Sequence, residues 1–178
     1  MPPGIGTEPL DNMDTLRFSV PGTLPYRDVV LRVVASACRL GRRGADATQE
    51  PGHRKRVEDF DDKVVSAVGE AFNNVALHAY AGVRGEAKLE LGFEPDGLTV
   101  RLLDTGQGFN LSAEVGQDLE TLRESRMGLE IILSCMDEVT YVPGGPTTPN
   151  VLTMTKRYFA NADASTLARG DRLAPVRA

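Results

Sequence analysis

The sequence predicts an α+β fold: a two-layer α/β sandwich in which a mixed, mostly antiparallel sheet is covered on one face by three helices. Three observations carry this. The elements run strand, helix, helix, two strands, loop, helix, two strands, which differs from the strict βαβ alternation of a dinucleotide-binding domain. The later strands come as neighbours joined by turn-rich segments, as antiparallel hairpins require. Each helical segment carries apolar residues three and four positions apart, so each has one stripe to bury against a sheet.

The elements follow in order. Residues 1–14 are rich in Pro and Gly without periodicity and read as a loosely attached tail. "TLRFSV" (15–20) alternates and reads as a strand. "PGTLPY" then breaks it, with Thr23 as a helix cap and Pro25 in the first turn. The first helix, "YRDVVLRVVASACRL", places Val29, Val30, Val33, Val34, Ala37 and Cys38 on one stripe and ends at Gly41. Residues 42–56, "RRGADATQEPGHRKR", read as a long polar loop and as an insertion.

The second helix starts near residue 57 and runs to about Tyr80, with Phe60, Val64, Ala67, Val68, Ala71, Val75 and Ala79 on its apolar stripe. "EAKLELGFE" and "GLTVRLLD" are strands around "PDG", a hairpin signal. "TGQGFN" is a turn, and residues 111–125 are polar and weakly patterned. "MGLEIILSCMD" reads as a helix entered through Gly128. "EVTYV" and "VLTMTKRYF" are the last strands, separated by "PGGPTTPN". One domain over residues 15–160, with a disordered tail before it (1–14) and a flexible tail after it (161–178), is the expected organisation.

Composition narrows the function classes. The chain has 178 residues, 41 % of them hydrophobic and 25 % charged, as in an ordinary globular protein with one core. A net charge of −5 argues against direct nucleic-acid binding, which needs a concentrated basic surface. The one basic cluster, "HRKR" at 53–56, is expected in a solvated loop. No apolar run is long enough to span a bilayer, and the first residues lack the pattern of a secretory signal. Cys38 and Cys135 show no metal spacing and read as two buried free thiols in a reducing cytoplasm.

Against this background "EAFNNVALHAY" (70–80) stands out. Glu70, Asn74 and His78 are spaced four apart and fall along one edge of a helix, bordering its apolar stripe. Side chains there project into the seam between helix and sheet, where a polar group needs a partner. Asn73 beside Asn74 adds a second amide in a helix interior, a poor place for Asn unless it is bonded. A carboxylate and an amide one turn apart suit a hard cation that keeps waters and phosphates in its shell. A border of boundary residues facing water is the bland alternative.

Two further pieces are unusual. In "LLDTGQGFN" an apolar strand ends in Asp104, followed by Gly106, Gly108 and Phe109. Alternate glycines permit close backbone approach to a ligand, although a simple turn with an Asx bond explains them equally well. In "ESRMGLEIILSCMDEV" Gly128 opens an apolar helix whose N-terminus favours anions, with Arg126 beside it.

Taken together, E-A-x-x-N before H-A-Y, then D-x-G-x-G-F, then M-G-L before an apolar helix ending M-D-E-V, form a specific order. It resembles the GHKL-type ATPase domain, the Bergerat ATP-binding fold, and in particular the anti-sigma-factor serine-protein kinases of bacterial stress-response and sporulation switches, over roughly residues 15–158. The resemblance implies ATP and Mg²⁺ as cofactors. It implies Glu70 as the general base, Asn74 as the metal ligand and Asp104 as the partner of the adenine amino group, supported by Gly106 and Gly108. Residues 110–127 would form a lid ending at Gly128 on a helix N-terminus. Asn73, His78, Phe109, Arg126, Met127, Leu129 and Thr153 would complete the nucleotide site.

The implied partners are an anti-anti-sigma protein of STAS type as phosphate acceptor, a sigma factor to sequester, and a second copy in a homodimer, all cytoplasmic. The sequence departs from the family pattern in three places. Arg126 stands where the second glycine box has its first glycine, the lid is short and lacks lysine, and the 42–56 loop is long. The first two departures motivate an alternative: a module that sequesters a partner without catalysis, with or without nucleotide.

Overall fold

The computed structural model of the chain describes residues 14–41, 53–80, 84–108 and 123–158. Strand β1 (Thr15–Pro21) leads through a short 3-10 turn (Leu24–Tyr26) into helix α1 (Arg27–Gly41). Helix α2 (His53–Asn74) ends in one π turn (Val75–Ala79). Then come β2 (Glu86–Glu94), β3 (Gly97–Asp104), helix α3 (Arg123–Cys135), β4 (Glu138–Val142) and β5 (Asn150–Arg157). Of the expected tails, 1–14 and 161–178, all but Asp14 lies outside the described residues.

The sheet has five strands in the order β1-β2-β3-β5-β4. Every pairing is antiparallel, so the sheet is not mixed. β3 and β5 lie side by side at its centre, with Leu102 opposite Leu152 and Val100 opposite Met154. Alternation sends Leu89, Leu91, Leu98, Val100, Leu102, Leu152 and Met154 toward the helices, where all are buried in one core. From the helices, Val30, Val34, Ala37, Cys38, Phe60, Val64, Val68, Phe72 and Ile132 enter the same core.

The other face of the sheet is polar but well paired. Arg101, 5 % exposed, donates to Glu90 Oε2 at 2.8 Å. Thr99 donates to Glu94 Oε1 at 2.6 Å and lies 3.0 Å from the Thr155 hydroxyl.

Several local expectations shift. α2 begins at His53, so the "HRKR" cluster forms its first turn instead of a loop, and the linker from α1 shortens to residues 42–52, outside the described residues. The polarity of that turn hides a helix whose apolar stripe starts only at Phe60. Thr23 sits at the cap position but its side chain makes no capping bond. Val29 is 48 % exposed and Val33 half-buried, because the stripe of α1 centres on Val30, Val34, Ala37 and Cys38. Cys135, on the last turn of α3, is only half-buried; neither cysteine is in a disulfide. The 111–125 segment contributes its last three residues to α3, and the remainder lies outside the described residues.

Tyr80 closes the end of α2 against the sheet. Its hydroxyl donates to the Glu86 carbonyl at 2.7 Å and accepts the Thr105 N–H at 3.0 Å. Its ring lies on Gly22 and Gly85, where a Cβ would overlap it. Tyr80→Phe leaves both backbone groups without this partner and is expected to cost about 1–2 kcal/mol. The readout is the urea midpoint at unchanged m-value; an unaltered midpoint removes the hydroxyl from the account. Phe72, fully buried between helix and sheet, is the larger anchor. Phe72→Ala should lower stability by about 3–5 kcal/mol in the same measurement.

Candidate functional site

The last α-helical turns of α2 carry Glu70, Asn73 and Asn74, all half-buried along the seam with α3 and α1. Arg27, the first residue of α1, donates from Nε to Asn73 Oδ1 at 3.0 Å. The Asn73 amide in turn reaches both oxygens of Glu70, at 3.4 and 3.5 Å. Gly69 makes room for this arrangement, since a Cβ there would lie 2.9 Å from the Arg27 guanidinium. Two consecutive asparagines in mid-helix are therefore accommodated differently. Asn73 spends its amide on a relay from Arg27 to Glu70, and Asn74 turns its amide toward α3.

Glu70 and Asn74 converge on one point of α3. A Cβ placed on Gly128 would stand 3.2 Å from Glu70 Oε2 and 3.8 Å from Asn74 Oδ1. Gly128 is buried inside α3, which begins five residues earlier at Arg123. The expectation that Gly128 opens the helix is thus corrected. A glycine in a helix interior costs about 1 kcal/mol relative to Ala, and what it supplies here is clearance for a carboxylate and an amide oxygen.

The second cluster lies where β3 ends. Asp104 is 8 % exposed and its Oδ1 accepts two bonds, from the Gly106 N–H at 2.9 Å and from Asn150 Nδ2 at 3.0 Å. The Gln107 N–H donates to the Ala79 carbonyl at 2.8 Å. Gly106 packs directly on Ala79, so that a side chain there would collide with the Ala79 backbone. The glycine turn is in this way bound to the end of α2. Gly108 lies against Asn150 and Tyr141, with a Cβ position 3.0 Å from Asn150 Oδ1 and 3.2 Å from the Tyr141 hydroxyl.

Glu70 and Ala79 are nine positions apart on one helix, about 13 Å along its axis. The two clusters therefore sit at the ends of a strip along α2, one acidic and amide-bearing, the other a carboxylate set in a glycine turn.

Among the other expected site residues, Leu129 is buried beside Gly128, while Met127 is 62 % exposed. His78 is also exposed. The π turn over Val75–Ala79 accounts for this: its wider winding interrupts the 100° step, so His78 leaves the edge that Glu70 and Asn74 share. Thr153 faces away from the site. It is paired with Arg101 and Thr140, on the sheet face opposite to Leu152, Met154 and Asn150. Phe109 and the lid residues 110–122 lie outside the described residues, as does the side chain of Arg126.

Two residues of the site went unread in the sequence. Arg27 had a signal, a basic residue at the start of α1 on the side of α2, but no motif. Asn150 was read as the end of the Gly/Pro-rich turn; it is the first residue of β5, in phase with Leu152 and Met154, and that phase was the available signal.

Among the described residues no cluster of three or more His, Cys, Asp or Glu side chains could hold a metal. None of the described helices is long and apolar enough to cross a membrane.

Comparison with known proteins identifies relatives and a family. Serine-protein kinase RsbW of Listeria innocua is 38 % identical over 82 residues, which cover 41 % of this chain and 52 % of that protein. The protein of the same name from Bacillus mycoides is 30 % identical over 90 residues, 46 % of this chain and 56 % of its own length. That from Bacillus cereus is 32 % identical over 90 residues, with the same coverage. The chain thus spans about half the length of the curated relatives it matches. The family described as histidine kinase-like ATPase domain matches residues 25–156, which run from the turn before α1 almost to the end of β5. With most of its length matched and the α+β layers in place, the chain belongs to the histidine kinase-like ATPase domain family.

Proposed function

We propose that the protein is an ATP-dependent serine/threonine-protein kinase that also acts as an anti-sigma factor. The observation that carries this reading is the convergence of Glu70 and Asn74 on Gly128, at the far end of α2 from the Asp104 turn. Family membership and the similarity to serine-protein kinases support it. In this reading ATP lies along α2, with adenine at Asp104 and the phosphates toward Glu70 and Asn74.

Glu70 acts as general base. It accepts the proton of a serine or threonine hydroxyl as that oxygen attacks the γ-phosphorus and ADP leaves. Asn73, anchored by Arg27, holds the Glu70 carboxylate in place from one side. Asn74 Oδ1 is a single oxygen donor, too few for a protein-only cage; it would hold Mg²⁺, an ion that keeps waters and substrate phosphates in its shell. When bound, Mg²⁺ neutralises phosphate charge and so supports the transfer. Phosphoryl transfer needs positioning and charge stabilisation more than covalent chemistry, so this small set of residues suffices.

The phosphate acceptor in this proposal is a small anti-anti-sigma protein of STAS type. Phosphorylation adds charge at its interface and releases the kinase to hold a sigma factor. A homodimer in the cytoplasm is part of the same reading.

One observation favours a second reading, a module that sequesters a partner without catalysis. α3 runs back to Arg123, so no open helix start faces Glu70 at Gly128.

Thermal melts separate the kinase from a nucleotide-free module, and phosphorylation separates it from one that binds nucleotide without catalysis. The kinase reading expects Mg-ATP to raise the midpoint, with about 2.7 kcal/mol of stabilisation at a hundredfold excess over Kd. An unchanged midpoint at millimolar nucleotide selects the sequestering module. Glu70→Gln should keep that shift yet lower phosphorylation of the cognate anti-anti-sigma protein by roughly 10²–10⁴-fold. Equal phosphoprotein from wild type and variant would remove Glu70 from the mechanism. Asn74→Ala is expected to weaken the magnesium dependence of ATP binding, read as the nucleotide Kd with and without the metal. The same ratio in both proteins would show that Asn74 holds no metal.

A further inference from the structure

Asn150 is 4 % exposed and stands opposite Asp104 across the β3–β5 pairing. Its side chain makes three bonds. Nδ2 donates to Asp104 Oδ1 and to the Gly106 carbonyl, both at 3.0 Å. Oδ1 accepts the Gly144 N–H at 2.8 Å. With two acceptors at one end and a donor at the other, only one orientation of the amide satisfies all three. Asp104 Oδ1 also takes the Gly106 N–H, so this oxygen is committed to the protein. Among the described residues no donor bonds to Oδ2.

We propose that Asn150 is the positioning residue for base recognition. By holding Oδ1, it fixes the Asp104 carboxylate with Oδ2 as the free acceptor, which then selects a purine bearing an amino group over one bearing a carbonyl. It also ties the β4–β5 turn, through Gly144, to the glycine turn after β3.

Few side chains serve this position. A hydroxyl offers one donor for two acceptors. An aspartate has no donor when ionised and sets a second negative charge against the first. An apolar residue leaves the Gly144 N–H and the Gly106 carbonyl unpaired. The inference rests on the reading of Asp104 as the base-binding residue.

The test compares equilibrium binding of Mg-ATP and Mg-inosine triphosphate, which carries a carbonyl in place of the amino group. Wild type is expected to favour ATP by roughly tenfold or more, in line with one hydrogen bond to a charged group. Asn150→Ala should reduce that preference to within about threefold, chiefly by weakening ATP. Asn150→Asp, which offers no donor when ionised and sets a second negative charge beside Asp104, should lose the preference in the same way.

A wild type that discriminates, with the same ATP-to-inosine-triphosphate ratio in Asn150→Ala, would overturn the role of Asn150 and leave Asp104 standing. A wild type without preference would overturn the reading of Asp104 itself, and this inference with it. Should Asn150→Ala fail to fold, Asn150→Ser, with one donor, decides by the same ratio.

Discussion

The contact on which the rest depends is the junction between the last turn of α2 and the glycine turn after β3. There the Ala79 carbonyl accepts the Gln107 N–H, and Gly106 lies so close to Ala79 that no side chain fits between them. One helix terminus and one strand terminus are thereby locked together. Because Glu70 and Asn74 belong to that helix and Asp104 to that strand, the lock sets the distance between the two halves of the site. The π turn belongs to the same junction. It rotates His78 into solvent and brings the helix end, with Ala79 and Tyr80, down onto the sheet.

Polar side chains at a half-buried seam are costly unless they are bonded. Arg27, Asn73 and Asn150 give their hydrogen bonds to the protein. Glu70 Oε2 and Asn74 Oδ1 face Gly128, and among the described residues Asp104 Oδ2 takes no bond. The supporting residues hold the others still, as a site that works by preorganisation requires.

Most of this architecture was legible in the sequence. Two strand boundaries, Glu86–Glu94 and Gly97–Asp104, coincide with their alternating runs, because "PDG" admits little besides a tight turn. Glu70, Asn74, Asp104 and Gly128 stood out because each breaks an otherwise apolar pattern. The misreadings have physical causes. Gly128 looked like a helix start because glycine is poor in helix interiors, and the compensating reason, the Glu70 carboxylate facing it, comes from another helix. Thr153 was placed on the site because strand parity fixes a face only once the register is known. Asn150 sat after a Gly/Pro-rich stretch, and nothing local to it reports a bond to a residue 46 positions earlier.

That last separation has a consequence for folding. β1–β2 aside, the hairpins β2–β3 and β4–β5 close over short loops, whereas the β3–β5 pairing must first gather the whole segment that contains α3. Contacts so distant in sequence form late, since chain closure opposes them. Asp104 and Asn150 meet only when this pairing is complete, and a slip of one residue in β5 would set Val151 against Asp104 and turn the amide to the opposite face. The base end of the site is therefore assembled by a long-range pairing and not by a local hairpin, and a chain able to discriminate between purines is one whose central strands have already found their native alignment.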